Sequence, residues 1–405
     1  MAIRRGFVVG IAASVALAAQ VRAASVGTVF VIAMENHDFT ADSSTAPNTA
    51  QQLLGNPAAP YLNSLITPGN ANAAQVSYAS NYLNAGVGDH PSEPNYVWAE
   101  AGTDFGVHTD NDPGTYPTTS TPFNSYTAPH LTGLMNAAGV SWNNYQEDVQ
   151  LSTSPLHSAS GTSATTINPF YGTGQYNYAA KHNPMAFFTD TATQNVKTFS
   201  SLQSDIAADT VSVSHSTATD NFGQYNWITP NQYNDMHSAL TGGFTYHGVS
   251  YTGDQAAVAT GDNFLATIIP ELEATQAYQN NGAIVIWFDE SEGGDTPGQT
   301  IPEIVISPLA KGNAYDSTEL LNHSSDIKTM QEIFGLGPTY LNNPIPSSEV
   351  APGSGSSGPY NSVTSVNDLS DLFQTGVIPS GIPVPEPASL AMLGMGALVL
   401  VRRRR

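Results

Sequence analysis

Two pairs of oxygen-donor residues directly follow short apolar runs of the sequence. One pair ends the segment IVIWFDE and the other ends the segment VIAMEN. Adjacent carboxylates repel each other unless a proton or a cation separates them, and divalent cations bind oxygen ligands. The pattern therefore predicts a divalent-metal site with four candidate ligands, Glu35, Asn36, Asp289 and Glu290. Acidic turns in an acidic chain are the alternative interpretation.

A serine that could act as a nucleophile lies in the segment HPSEPNY, residues 90–96. Ser92 follows a proline and precedes a short helical stretch, which places its hydroxyl at a predicted helix N-terminus. Free N–H groups and the helix dipole favour anions there, and metal coordination can lower the pKa of a serine hydroxyl. Capping of the helix is the alternative role. Thr103 is a second, weaker candidate hydroxyl.

Basic and metal-binding side chains occur in three further segments. Asp235 and His237 follow a short apolar strand, where both can reach one metal ion, and His323 could join them. Lys181 and His182 are adjacent, and a cation next to a histidine in a lysine-poor chain favours an oxyanion partner. The remaining histidines considered are interpreted as solvated loop residues: His108, His130, His157, His215 and His247.

Apolar runs alternate with helical patterns along the chain. Continuous apolar runs, typical of buried parallel strands, cover residues 28–33, 282–288 and 303–307. Helical patterns cover residues 264–278 and 325–334. This alternation predicts an α/β fold, a three-layer α/β/α sandwich with a mostly parallel central sheet. Sites in such sheets form beyond the carboxyl ends of the strands, where both pairs of candidate metal ligands fall.

The charge distribution excludes some classes of partner. The 405 residues include 11 Lys and Arg against 33 Asp and Glu, and no Cys. Residues 24–384 hold four Lys, no Arg and every acidic residue except Glu386. Such a surface repels a phosphate backbone, so we expect no nucleic-acid partner. The absence of Cys excludes disulfides and thiolate metal sites.

Seven short segments resemble, in order, the sequence blocks of the bacterial and fungal phosphoesterase family. That family includes acid phosphatases and phosphatidylcholine-type phospholipases C, and it belongs to the alkaline phosphatase superfamily. The resemblance covers roughly residues 26–340. The segments are 34–39 (MENHDF), 90–96 (HPSEPNY), 145–148 (YQED), 181–184 (KHNP), 229–237 (TPNQYNDMH), 284–291 (IVIWFDES) and 322–324 (NHS).

The resemblance implies an alkaline-phosphatase-like fold and a metal-dependent phosphoric ester hydrolase that acts through a phosphoserine. The implied metal ligands are Glu35, Asn36, Ser92, Asp289, Glu290 and Asp235. The implied catalytic residues are the nucleophile Ser92 with His237 and His323. Asp235, His237 and His323 match the position of the second metal ion in two-metal relatives, or they could serve as acid, base or phosphate-binding groups. The implied phosphate-binding residues are His90, Lys181 and His182. Oxygen ligands favour Ca, Mg or Mn, and recruitment of the histidines favours Zn.

Both termini resemble processing signals. Residues 1–23 combine two Arg, an apolar run and a small-residue cleavage site, as a secretory signal peptide does. Residues 384–405 closely resemble the PEP-CTERM sorting tail, with a short transmembrane segment. This implies export to the periplasm, cell surface or extracellular matrix, with the tail transiently in the inner membrane. Residues 24–342 are then the catalytic domain, and residues 343–383 a Pro/Gly/Ser-rich linker.

Two other functions are considered. A phospholipase C-type phosphodiesterase would need an apolar rim, for which the insertion 152–180 offers weak candidates: Phe170, Tyr171, Tyr176 and Tyr178. A non-enzymatic, acidic calcium-binding matrix or surface protein would fit the composition. It would leave the segments HPSEPNY and KHNP unexplained.

Overall fold

The structure is a computed structural model. It describes residues 24–40, 52–84, 89–113, 126–152, 155–162, 175–210, 221–291, 300–345 and 362–383. The predicted signal peptide and sorting tail lie outside these ranges. No helix within them has both the length and the apolar character that a membrane crossing needs.

A central sheet of eight strands forms the middle of the molecule, and three smaller pairs of strands lie outside it. The strands are β1 (Val29–Met34), β2 (Val76–Ala79), β3 (Tyr82–Leu83), β4 (Trp142–Gln146), β5 (Ala159–Thr162), β6 (Gln175–Tyr178), β7 (Val196–Thr198), β8 (Tyr225–Thr229), β9 (Phe244–Tyr246), β10 (Val249–Tyr251), β11 (Ala283–Phe288), β12 (Glu303–Ile306), β13 (Tyr315–Ser317) and β14 (Leu321–Asn322). The strand order of the central sheet is β13-β2-β12-β11-β1-β8-β4-β7, and the smaller pairs are β3 with β14, β5 with β6 and β9 with β10.

Most neighbouring strands of the sheet are parallel, which confirms the predicted α/β class. Strand β1 is parallel to β11 and β8, and β4 is parallel to β8 and β7. Strand β12 is antiparallel to both β11 and β2, so the expectation of a parallel strand at 303–307 is wrong. Burial on both faces produces a continuous apolar run in either direction, and β12 is buried along its whole length.

Helices cover both faces of the sheet. On one face, Val31 and Trp287 lie opposite Ala99 and Met330, which belong to two of the helices. The helices are α1 (Pro60–Leu65), α2 (Ser92–Ala101), α3 (Leu131–Ala138), α4 (Phe199–Asp209), α5 (Asp254–Glu273), α6 (Gln276–Gln279) and α7 (His323–Phe334), with shorter 3-10 helices at Ala71–Ala73, Ala180–His182, Pro184–Phe187 and Leu369–Leu372. Helices α2, α3 and α7 form the layer on this face.

The opposite face is covered by α4 and α5. Phe30 follows strand alternation and points away from its neighbour Val31. Its ring packs edge-on against Phe222, with centroids 5.0 Å apart, and Tyr145 also contacts Phe222. The Tyr145 hydroxyl donates to Asp205 of α4 at 2.7 Å, and a ring contact joins α4 to α5. The three-layer α/β/α arrangement is therefore confirmed.

Helix boundaries follow local signals only in part. Helix α2 ends at Gly102, which has φ +67°, and α7 ends at Gly335 with φ +64°, the glycine at which the sequence predicts its end. Helix α7 begins earlier than predicted, because the Asn322 side chain accepts from the first turn in a capping box. Helix α5 begins at Asp254 and contains Pro270, whereas the predicted helix begins at residue 264.

Residues 362–383 pack against the domain. Leu369, Leu372 and Phe373 are buried in the main hydrophobic core, and Val363 packs in a smaller cluster against α2 and α7. The Lys311 ammonium contacts Asp371 in the same stretch. This part of the predicted linker therefore differs from an exposed connector, since its apolar side chains contribute to the core. The boundary between domain and tail stays a prediction.

Candidate active site

The hydroxyl of Ser92 lies among three oxygen atoms from distant parts of the chain. Its Oγ is 2.9 Å from Glu35 Oε2, 3.3 Å from Asn36 Oδ1 and 3.3 Å from Glu290 Oε1. Glu35 and Asn36 follow β1, and Glu290 follows the parallel neighbour β11. Ser92 is the first residue of α2, and no side chain caps that helix N-terminus. The sheet edge and the helix thus bring together the predicted nucleophile and three predicted metal ligands.

Asn36 connects the two strand ends. Its backbone N–H donates to Asp289 Oδ1 at 3.0 Å, and its side-chain amide donates to Glu290 Oε1 at 3.1 Å. Asn36 has φ +33°, a region that asparagine enters more readily than most residues. Asp289 is fully buried, and its Oδ2 has no hydrogen-bond partner within the described chain. One carboxylate oxygen is therefore left for a ligand.

A second group of possible metal ligands includes Glu35. Glu35, His182 and Asp235 are buried and offer ligand atoms within 4.8 Å of one another. His182 Nδ1 lies 3.3 Å from Glu35 Oε1 and 3.9 Å from Asp235 Oδ2. The Tyr96 hydroxyl donates to Glu35 Oε1 at 2.6 Å, and the Tyr96 ring stacks on His182 with centroids 4.9 Å apart. Glu35 thus belongs to both groups of possible metal ligands.

A close approach of α5 holds the loop that carries Asp235. A Cβ added to Gly261 of α5 would lie 2.2 Å from Met236 Cγ, so only glycine fits there. The backbone N–H of Glu35 also donates to the Asp235 carbonyl at 2.8 Å. Glu147, which follows β4, accepts two hydrogen bonds from the Asn234 amide at 2.9 Å. These contacts fix the loop against the end of β1.

The carboxylates of the site are strongly perturbed because they are buried near one another. Burial, with the charges of Asp289 and Asp235, raises the pKa of Glu35 well above its ordinary value. Burial and the adjacent Glu290 raise the pKa of Asp289 to about 8. Burial also raises the pKa of Asp235 well above its ordinary value. A bound cation would reverse these shifts by favouring the ionised forms.

The donor set fits a divalent cation. Besides Asp289 Oδ2, the Oδ2 atom of Asp235 is buried and accepts no hydrogen bond from any described residue. Carboxylate, amide and hydroxyl oxygens with one imidazole are ligands that divalent ions accept. Burial, with Lys181 and His237 nearby, lowers the pKa of His182 well below its ordinary value. His182 is therefore neutral, the form that ligates metals.

Three residues with basic side chains adjoin the carboxylates of the site. His90 Nδ1 contacts Glu290 Oε2, and the His90 side chain is 27% exposed. The Lys181 ammonium contacts Asp110; although burial lowers the pKa of Lys181, the nearby Glu35 and Asp110 raise it above its usual value. His237 is exposed, and its backbone N–H donates to Asp235 Oδ1 at 2.8 Å. These positions suit groups that meet an anionic substrate.

The structure does not bring His323 into this arrangement. Its ring is enclosed by Trp287, 4.6 Å away between centroids, and by Tyr82 at 5.7 Å. Both ring nitrogens are buried without a hydrogen-bond partner among the residues described, and burial lowers the pKa of His323 to about 3. Its position before α7, which suggested a ligand, instead places the ring in the layer between helix and sheet.

Thr103 and Tyr178 also lie in environments that differ from those the sequence predicts. Thr103 is buried, and its hydroxyl donates to the Pro344 carbonyl at 3.2 Å, a structural contact. Tyr178 is buried and cannot form an exposed apolar rim; Tyr176 has no described side chain, and Phe170 and Tyr171 lie outside the described residues.

His130 is not a solvated loop residue. It is buried, with Nδ1 2.7 Å from Glu100 Oε2 and Nε2 2.9 Å from Asp190 Oδ1. The interpretation as a loop residue missed it because its partners are 30 and 60 residues away. Tyr96 was missed as a site residue for a similar reason: its contact with Glu35 spans 61 positions, and only its place four residues after Ser92 could have indicated it.

The chain matches a known protein family over most of its length. The sequence model of the phosphoesterase family matches residues 85–337, more than half of the chain. The chain belongs to the phosphoesterase family. The prediction of a phosphoric ester hydrolase is confirmed, and the non-enzymatic matrix alternative is overturned. The PEP-CTERM protein-sorting motif matches residues 383–405, which confirms the resemblance of the tail.

Individual relatives of this phosphoesterase are phosphatases. A phosphatidylinositol-3-phosphatase from Mycobacterium tuberculosis is 26% identical over 302 residues, which cover 74% of this chain and 77% of that protein. A phosphate-repressible acid phosphatase from Penicillium chrysogenum is 26% identical over 255 residues, 61% of this chain and 50% of that protein. Among solved structures, a protein in the alkaline phosphatase superfamily from Vibrio parahaemolyticus has a TM-score of 0.44 at 10% identity, covering 77% of this chain and 67% of that one.

Proposed function

We propose that this phosphoesterase is an exported, divalent-metal-dependent phosphomonoesterase with Ser92 as its nucleophile. The observation that carries the proposal is the position of Ser92 Oγ, 2.9 to 3.3 Å from oxygens of Glu35, Asn36 and Glu290 at the N-terminus of α2. A serine that only caps a helix does not need three oxygen atoms of possible metal ligands, from two strand ends, around its hydroxyl.

The proposed metal ligands are the donors that converge on this hydroxyl: Glu35, Asn36, Ser92, Asp289 and Glu290, with Asp235 and His182 adjoining them. A bound divalent cation supplies Lewis acidity, which lowers the pKa of the Ser92 hydroxyl and offsets negative charge on the phosphoryl group. Recruitment of His182 favours Zn, whereas an all-oxygen set favours Ca, Mg or Mn.

The proposed reaction has two displacement steps at phosphorus. Ser92 Oγ loses its proton and forms a bond to phosphorus, while the bond from phosphorus to the ester oxygen breaks and the alcohol leaves with a proton. Water then attacks the phosphoserine, the bond to Ser92 Oγ breaks, and inorganic phosphate leaves. We propose that His237, whose backbone N–H donates to Asp235 Oδ1, exchanges protons with the leaving alcohol or the attacking water.

Positive charge beside the proposed metal ligands would bind the phosphate oxygens. Although burial lowers the pKa of Lys181, the residue lies close enough to Glu35 and Asp289 for their charges to raise it. His90 contacts Glu290, and the uncapped N-terminus of α2 directs backbone N–H groups at the same region. Positive charge is needed there because the four Lys of residues 24–384 face a large excess of acidic residues.

Monoesters are proposed as substrates ahead of phospholipid diesters. The relatives named above are an acid phosphatase and a phosphatidylinositol-3-phosphatase, names that describe phosphate monoester hydrolysis. The proposed location is outside the inner membrane, in the periplasm, on the cell surface or in the extracellular matrix. The sorting motif at residues 383–405 supports this location.

The test combines chemical trapping with a matched pair of variants. Acid quenching during turnover of p-nitrophenyl phosphate should leave a covalent phosphate on the peptide that contains Ser92. Ser92→Ala should lower kcat/KM by about 10³-fold or more, whereas Thr103→Ala, which removes a nearby buried hydroxyl, should retain activity. A chelator should abolish activity, and a divalent metal should restore it.

Two results would contradict the proposal. One is phosphate trapped on a residue other than Ser92, or activity retained by Ser92→Ala while the Thr103 variant loses it. The other is turnover of p-nitrophenylphosphorylcholine that exceeds turnover of p-nitrophenyl phosphate by orders of magnitude, which would identify a phosphodiesterase.

A further inference from the structure

We propose that Asp89, Asp104 and His108 form a second divalent-cation site, separate from the ligands around Ser92. Each residue offers one ligand atom within 4.8 Å of the others. Asp89 and Asp104 are fully buried, and the His108 side chain is 42% exposed. Nothing in the hydrolase mechanism above uses these three side chains, and the inference does not depend on that mechanism.

An unpartnered oxygen points into this group. Asp104 Oδ1 accepts the Gly106 N–H at 2.9 Å, so that side of the carboxylate is satisfied. Asp104 Oδ2 is buried and has no hydrogen-bond partner within the described ranges. Asp104 Oδ2 lies 3.6 Å from His108 Nε2. This distance is too long for a hydrogen bond, but it suits two atoms that bind the same metal ion.

Each lysine of residues 24–384 has a partner other than Asp89 and Asp104. Lys181 contacts Asp110, Lys197 lies 3.0 Å from Asp205, and Lys311 contacts Asp371. The remaining lysine of residues 24–384 donates to a backbone carbonyl, and that part of the chain has no Arg. Two buried carboxylates this close to each other are stabilised by a cation.

The donor chemistry indicates the class of ion. Two carboxylates and one imidazole favour a borderline ion such as Zn²⁺ or Mn²⁺ over Ca²⁺ or Mg²⁺, which prefer oxygen alone. The exposed edge of His108 gives the ion a route from solvent and leaves room for water ligands.

The position of the group gives the ion a structural role. Asp89 precedes α2, whereas Asp104 and His108 belong to the segment that follows it and runs back along it. That segment also bonds to α2 through Glu93 Oε2, which accepts from Thr109 Oγ1 at 2.6 Å. A cation shared by these residues would fix the 104–111 segment, which carries the Asp110 partner of Lys181, beside the start of α2.

The test measures Zn²⁺ binding after the first site has been disabled. In the full chain carrying Glu35→Gln and Asp289→Asn, isothermal titration and elemental analysis should show about one retained Zn²⁺ per chain, and Zn²⁺ should raise the thermal midpoint. Adding Asp104→Asn or His108→Ala should weaken Zn²⁺ binding by at least about tenfold and remove the thermal shift.

Two control variants remove an imidazole and a negative charge at positions outside the proposed site. His157→Ala removes another exposed imidazole, and Glu319→Gln removes another negative charge at an exposed position; both should leave Zn²⁺ binding unchanged. If Asp104→Asn does not fold, as judged by circular dichroism, the half-exposed His108→Ala decides. The proposal is overturned if the disabled chain binds no Zn²⁺, or if its Zn²⁺ affinity is the same with and without His108→Ala.

Discussion

Removing the Tyr96 hydroxyl should separate metal binding from chemistry. This hydroxyl donates to Glu35 Oε1 at 2.6 Å inside a fully buried site, and it lowers the pKa that burial raises. A hydrogen bond to a charged group contributes about 1.5–3 kcal/mol. In Tyr96→Phe, ionised Glu35 loses that contribution, so the affinity for the catalytic metal should fall by about 10- to 100-fold. At saturating metal, kcat should return close to that of the wild type.

The assay is a titration of activity against free divalent metal after treatment with a chelator. Tyr278→Phe is the matched control, because its hydroxyl donates to Gln75 Oε1 at the same 2.6 Å from a buried ring, and Tyr278 precedes β11 whereas Asp289 follows it. Only Tyr96→Phe should shift the metal midpoint. Equal midpoints for both variants, or a loss of kcat that no metal concentration restores, would refute the role assigned to Glu35.

Three further outcomes are expected. Burial lowers the pKa of His130, but its two carboxylate partners raise it more, so the charged imidazole stabilises the folded state. In urea denaturation, His130→Gln should therefore lower the free energy of unfolding most at pH values below the ordinary imidazole pKa of about 6.5. This loss should become smaller as the pH rises through the raised pKa of His130. Asp110→Asn frees the Lys181 ammonium, so the inhibition constant of inorganic phosphate should fall severalfold; an unchanged constant would mean that Lys181 does not meet the phosphate. Leu372→Ala should lower the free energy of unfolding by about 2–5 kcal/mol, whereas a loss near zero would mean that residues 362–383 lie outside the cooperative domain.

Local sequence patterns predict the parts of the site that follow strands. The apolar runs that become β1 and β11 are short, uninterrupted and followed at once by acidic residues. Their parallel pairing places Glu35 and Asp289 at one edge of the sheet, as the rule for carboxyl ends of parallel strands predicts. The proline before Ser92 marked the start of α2 correctly.

Long-range packing determines the parts that the sequence did not reveal. The direction of β12 depends on its neighbours in the sheet, which its own apolar run does not encode. Whether a histidine before a helix faces a site or a core depends on the opposing sheet, and for His323 the opposing group is Trp287. The contact between Tyr96 and Glu35 likewise requires the helix to be placed on the sheet first.

Composition misleads at the C-terminal end of the domain. The Pro, Gly and Ser content of residues 343–383 is typical of a linker, yet Leu369 and Leu372 lie on a short 3-10 helix that fills the core. A few well-spaced apolar residues bury enough surface to order such a segment, and average composition does not register them.

Anomalous diffraction from crystals of the metal-loaded protein tests the central claim most directly, because it identifies the element and its ligands together. We predict an anomalous peak bound by carboxylates from both strand ends, Glu35 and Asp289 or Glu290, with Ser92 Oγ beside it. A metal-loaded, active crystal with no peak at that position, or with Ser92 remote from the bound ion, would contradict the account.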